Sequence, residues 1–108
     1  MSSAKDLEQL FHNCMPLFIA LGDEVRLSII EALGLAAYEK SGAGLNVNEI
    51  TRQTCLSRPA VSHHLKILKE AGLIDMYRSG TCNYYYLTLK TGTEQLMALV
   101  YTLKDFID

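Results

Sequence analysis

The sequence predicts a mainly α-helical domain with a small β-hairpin, in the order α-α-β-α-α-β-β-α, on three observations. Apolar residues recur at three- and four-residue steps through most of the chain, which marks amphipathic helices. The period drops to two over residues 74–77 and 84–89, on either side of Ser79-Gly80-Thr81, and this reads as a hairpin. At 108 residues, 49% hydrophobic and 20% charged, the chain has the size and balance of one soluble domain spanning 1–108.

Each element has its own signal. Leu7, Leu10, Phe11, Cys14, Leu17, Phe18 and Leu21 stripe the first helix. Pro16 is expected to kink or restart it, because proline lacks an N–H. Gly22-Asp23 breaks the pattern, and Asp23 suits the cap of the next helix. Val25, Ile29, Ile30 and Leu33 form the buried stripe of that second helix, which should end near Ser41-Gly42-Ala43-Gly44. Leu45-Asn46-Val47 is a short extended piece, with Asn48 as the expected cap of a third helix running to about Thr54. Ser57 suits the cap of a fourth, with Arg58 and Pro59 in a first turn that tolerates proline. Val61, Leu65 and Leu68 should face inward with Ala71 at their flank, and Gly72 supplies a left-handed stop. A last helix from about Gly92 carries Leu96, Leu99, Val100, Leu103 and Ile107.

No run of about 18 apolar residues exists to form a membrane span. The first ten residues carry Asp6 and Glu8 and lack the apolar region of a secretory signal. Cys14, Cys55 and Cys82 are odd in number and widely spaced, so reduced thiols and a cytoplasmic location are expected. The net charge of −2 hides an asymmetry: from position 52 to 78, Arg52, Arg58, Lys66, Lys69 and Arg78 outnumber Glu70 and Asp75, for a local +3 beside His63 and His64. A basic middle on an acidic body fits a nucleic-acid surface or a solvated helix face.

A short helix, a tight turn and a second helix followed at once by a hairpin make a winged helix-turn-helix. The second helix of such a unit fits the DNA major groove. Here its first two turns present Ser57, Arg58, Pro59, Ser62, His63 and Lys66, short hydrogen-bonding groups with cations beside them. Arg78 and Thr81 flank Gly80 in the wing, within reach of an adjacent minor groove or phosphate.

These residues resemble the ArsR/SmtB family of bacterial repressors. The run from Leu56 to Ile74 (LSRPAVSHHLKILKEAGLI) is similar to that family's recognition helix. Ala20-Leu21-Gly22-Asp23-Glu24-Val25-Arg26-Leu27 is similar to its helix junction, and the segment from Gly80 to Leu87, with Tyr84-Tyr85, to its wing. The resemblance spans roughly residues 17–89. It implies a homodimeric DNA-binding transcriptional regulator, a repressor, on an inverted-repeat operator of double-stranded DNA, released by an effector. It also places DNA contacts at Arg58, Pro59, Ser62 and His63. The first and last helices would then form the dimer interface, through Leu7, Leu10, Phe11, Leu96, Leu99, Val100 and Leu103.

The family's two metal chemistries are not expected. Its thiolate site needs cysteines where this chain has Asn46-Val47-Asn48, and its other site needs a histidine on the last helix, whereas none follows His64. No cofactor is expected. Cys14 reads as a small core residue and Cys82 as a surface thiol, with oxidation of Cys14, Cys55 or Cys82 as the sharper alternative. His12 reads as a surface or interface residue, His63 as facing outward and His64 as packing at the flank of its helix. Tyr85 should join Leu87 in the core, with Tyr84 and Tyr86 on the opposite face for sheet packing or base stacking. No nucleophile motif or glycine-rich phosphate loop appears, and Asp23-Glu24 sit where capping explains them, so an enzyme is not expected. The competing classes are a winged helix that docks proteins and a thiol-based redox-sensing regulator.

Overall fold

The computed structural model describes residues 3–40 and 44–108. It runs α1 (Ala4–Leu21), α2 (Glu24–Lys40), β1 (Leu45–Asn46), α3 (Val47–Thr54), α4 (Arg58–Glu70), β2 (Ile74–Ser79), β3 (Cys82–Leu87) and α5 (Lys90–Ile107). The element order is the expected one, and residues 41–43 of the expected loop after α2 lie outside the described residues.

Local chemistry sets most boundaries. Ser3 and Asp6 close a reciprocal capping box on α1. Asp23 caps α2: its Oδ1 accepts from the amides of Val25 at 2.8 Å and Arg26 at 3.1 Å. The Arg26 amide above all, then that of Val25, holds the Asp23 carboxyl below its usual range against the opposing effect of burial. The Ser57 Oγ accepts from the Ala60 amide at 3.3 Å. Gly72 at φ +77 stops the segment after α4, and Gly80 at φ +62 turns the hairpin.

Four expectations are corrected. Pro16 neither kinks α1 into two elements nor restarts it; the helix runs unbroken through it. Pro16 lies on the exposed side, where water can serve the carbonyl that loses its amide partner. The cap of α3 is Asn46, not Asn48. Asn46 Oδ1 accepts from the Glu49 amide at 2.9 Å, and Glu49 Oε1 accepts from the Asn46 amide at 3.1 Å. The hairpin is longer toward its tip, with Ser79 paired to Cys82 across a two-residue turn, and it ends at Leu87. Leu89 is no strand residue: at φ +53 it caps α5, which therefore starts at Lys90 instead of near Gly92. The amides of Thr88 and Leu89 both donate to the Leu73 carbonyl, which pins the chain in that turn. The expected short strand β1 pairs antiparallel with β3, making a three-stranded sheet in the order β1-β3-β2.

The core gathers Leu17 and Ala20 of α1, Ile29 and Leu33 of α2, Leu45, Ile50, and Val61, Leu65 and Leu68 of α4, with Leu73 and Ile74 leading into the wing. Tyr85 and Leu87 pack against it from β3. The radius of gyration, 15.9 Å, exceeds the roughly 13 Å of a compact globule of this length. A molecule 49 Å long and 26 by 21 Å across leaves much apolar surface outside that core.

Candidate nucleic-acid interface

The core stripe of α4 decides what its opposite face presents. With Val61, Leu65 and Leu68 inward, the residues Arg58, Ser62 and Lys66, spaced by four, and Pro59 and His63 beside them, are all exposed. Ser57 is exposed too, although its hydroxyl oxygen is occupied by the cap. The turn from α3 to α4 is short because Cys55 adopts the left-handed conformation at φ 59, while its amide donates to the Thr51 carbonyl at 2.9 Å. The half-buried Leu56 then anchors the turn on the core.

The wing tip comes back to the start of this helix. Arg58, Thr81 and Cys82 line one polar cleft of about 160 Å³ with Asn46, Val47, Asn48 and Asn83. Arg58 Nη1 donates to Asn48 Oδ1, so the guanidinium is tied to α3. Asn48, expected as a cap, thus holds the first cation of the exposed α4 face. Arg78 is exposed, and its Nε donates to the Gly80 carbonyl at 3.3 Å across the tip. On the outer wing face Tyr77 stacks on Tyr84 with ring centroids 5.4 Å apart, and Tyr86 is tilted against Tyr77 at 5.9 Å. These tyrosines pack on one another, while Tyr85 faces the core.

His63 is exposed, as expected, and His12 lies on the surface. His64 is half-buried and meets Arg26, a residue that sequence reasoning passed over as part of the helix junction. Leu99 corrects one interface expectation: at 2% exposure it is buried within its own chain. Leu7, Leu10, Leu96 and Leu103 are half-buried, whereas Phe11 and Val100 stand exposed. Met15, Phe18 and Ile19 on α1 and Met97 and Tyr101 on α5 are also exposed, none of them in the expected interface.

The cysteines separate by environment. Cys14 is fully buried, and burial pushes its thiol up from the usual range, away from the reactive thiolate. Cys55 and Cys82 are exposed. Native protein should therefore take up two maleimide groups quickly, at Cys55 and Cys82, and a third only on unfolding. Mass spectrometry showing Cys14 labelled at the same rate would contradict this burial. Among the described residues no three His, Cys, Asp or Glu side chains gather as a metal-binding group. No helix among them is long and apolar enough to cross a membrane.

A helix pair with one helix turned outward and a wing folded beside its N-terminus defines a winged helix-turn-helix protein. The chain matches the helix-turn-helix domain family over residues 21–77. It is 32% identical over 77 residues to an HTH-type transcriptional regulator of Methanocaldococcus jannaschii, covering 71% of this chain and 80% of that one. It is 34% identical over 71 residues to the transcriptional repressor SdpR of Bacillus subtilis, covering 66% and 71% respectively. Among solved structures it is similar to the homodimeric winged helix-turn-helix DNA-binding domain of a possible ArsR-family regulator from Mycobacterium bovis. That match has a TM-score of 0.66 and 28% identity over 97% of this chain and 88% of that one. The chain belongs to the ArsR-family winged helix-turn-helix transcriptional regulators.

Proposed function

We propose that this regulator is a homodimeric, sequence-specific repressor that reads an inverted-repeat operator and is released by an effector. The observation that carries the reading is the exposed face of α4, where Arg58, Ser62, His63 and Lys66 stand clear of the core beside a wing bearing Arg78 and Thr81. Arg58 suits a guanine edge, since its fork matches the two major-groove acceptors of that base. Ser57, Ser62, Lys66, Arg78 and Thr81 suit phosphates and base edges, and Pro59 contributes only contact, having no side-chain donor. The repressor reading is supported by the likeness to SdpR, and the dimer by the homodimeric Mycobacterium bovis domain.

The dimer also has a surface to form through. Phe11, Met15, Phe18 and Ile19 recur along the outside of α1, and Met97, Val100 and Tyr101 along α5, which packs beside it. A monomer gains nothing by exposing so many large apolar groups in helical register, whereas a second copy would bury them. Release by an effector requires that the effector bind the DNA-free dimer more tightly than the DNA-bound one.

Fluorescence anisotropy on the DNA upstream of its own coding sequence tests the reading. Binding should weaken steeply as salt rises, because phosphate contacts release counterions. Arg58→Ala should lose about 1–3 kcal/mol on the specific duplex and less on a scrambled one. Equal loss on both would reduce Arg58 to a phosphate contact. Salt-insensitive association, or none with any duplex, would favour a protein-docking winged helix instead.

A further inference from the structure

Arg26 is the one buried charged side chain among the described residues, at 8% exposure. Its Nε donates to the Ala20 carbonyl at 2.8 Å and its Nη2 to the Ile19 carbonyl at 2.9 Å, both near the C-terminal end of α1. Its Nη1 donates to His64 Nδ1 on α4 at 3.3 Å and stands 3.8 Å from Asp23 Oδ2. A guanidinium only donates, so in this contact His64 Nδ1 is the acceptor. No basic residue occupies the last turn of α1. Arg26 therefore brings, from the next helix, the positive charge that a helix C-terminus favours. One planar group thus joins the end of α1, the cap of α2 and the middle of α4.

Apolar packing does not supply this kind of link. Val61, Leu65 and Leu68 seat α4 on the body by close packing, and the arginine adds to that packing bonds of fixed direction. The fork of an arginine has fixed geometry, and its bonds to carbonyl and imidazole set an orientation. The neighbour of His64, His63, lies on the exposed recognition face, with the two rings 5.7 Å apart. At the other end of the link, α1 carries the outward apolar row from Phe11 to Ile19. A dimer on an inverted repeat needs its two recognition helices about one DNA turn apart, roughly 34–36 Å. Their separation is fixed only if each α4 is held rigidly to the helix that forms the dimer.

We propose that Arg26 is a positioning residue for DNA recognition: it couples α1 to α4 through His64 and so sets the half-site spacing that the dimer accepts. This rests on the DNA-reading dimer proposed above.

The test starts with wild-type protein selecting duplexes from a randomised pool. The best duplex is remade with one base pair inserted or removed between its half-sites. Wild type, Arg26→Lys, His64→Ala and His64→Gln are then compared by anisotropy, with Tm and oligomeric state measured alongside. Wild type should prefer its selected spacing by about tenfold or more. Arg26→Lys keeps the charge but not the fork, and it should bind the selected duplex about tenfold more weakly while binding the respaced duplexes as well as wild type does. His64→Ala should do the same, and it carries the readout should Arg26→Lys fail to fold. His64→Gln keeps an acceptor and should retain the preference. A uniform loss on every duplex with a lowered Tm would make the link structural only and overturn the inference, as would an undiminished spacing preference in both variants. If wild type selects no duplex, the DNA reading itself falls and takes this inference with it, a result distinct from the other two.

Discussion

Leu65→Ala is expected to lower folding stability by about 2–5 kcal/mol, the range for emptying a fully enclosed leucine site. Leu65 is 1% exposed and shares the core with Val61, Leu68, Ile29 and Leu33. It sits where α4 meets the body, so collapse of the surroundings into the cavity would also shift the exposed face of α4. A domain of this length has stability on the order of 5–15 kcal/mol, and the loss would be a large part of it. Urea denaturation followed by circular dichroism checks this, with the midpoint falling and the slope unchanged. A midpoint within experimental scatter of wild type would mean that α4 does not depend on this contact.

Phe18→Glu combined with Val100→Glu is expected to yield a folded monomer whose operator affinity falls by about a hundredfold or more. Both positions are exposed in the single chain, at 39% and 45%, so a carboxylate there costs the monomer little. In a dimer the same carboxylates would be buried against apolar surface without partners, which costs several kcal/mol. A monomer engages one half-site and forfeits the second, linked binding event, worth about 10²–10⁴ in avidity. Sedimentation gives the mass and anisotropy the affinity. A persistent dimer would relocate the interface, and a proven monomer with intact affinity would remove the inverted-repeat reading.

The parts legible in the sequence share one property: they are encoded within a few residues. The helical period of α4, the Ser57 cap, the Asp23 cap and the left-handed glycine at position 72 each need only neighbours along the chain. The exposed row of α4 follows as the complement of the core stripe. Two expectations failed where a distant segment arbitrated. Asn46 and Asn48 are both good caps by type. The extended backbone of Asn46, at φ −83 and ψ 171, goes with the pairing of β1 to β3, where it stands opposite Tyr84. Leu89 follows a strand-like run, but the amide bonds to Leu73 pull it into the turn that begins α5.

Element order, the inward and outward faces of α4, and the family are all encoded along the chain. Periodicity and capping are local and survive without knowledge of the partner surface. Which apolar stripe meets which was settled by the packing of the helices on one another. It buried Leu99 inside the chain and left Met15, Ile19, Met97 and Tyr101 outside, because a helix pattern records that a face is apolar and not what covers it. Only the tertiary structure, too, gave Arg26 its place. A charged side chain in a helix reads as solvated, and its burial became affordable through carbonyls six and seven residues back and an imidazole 38 residues on.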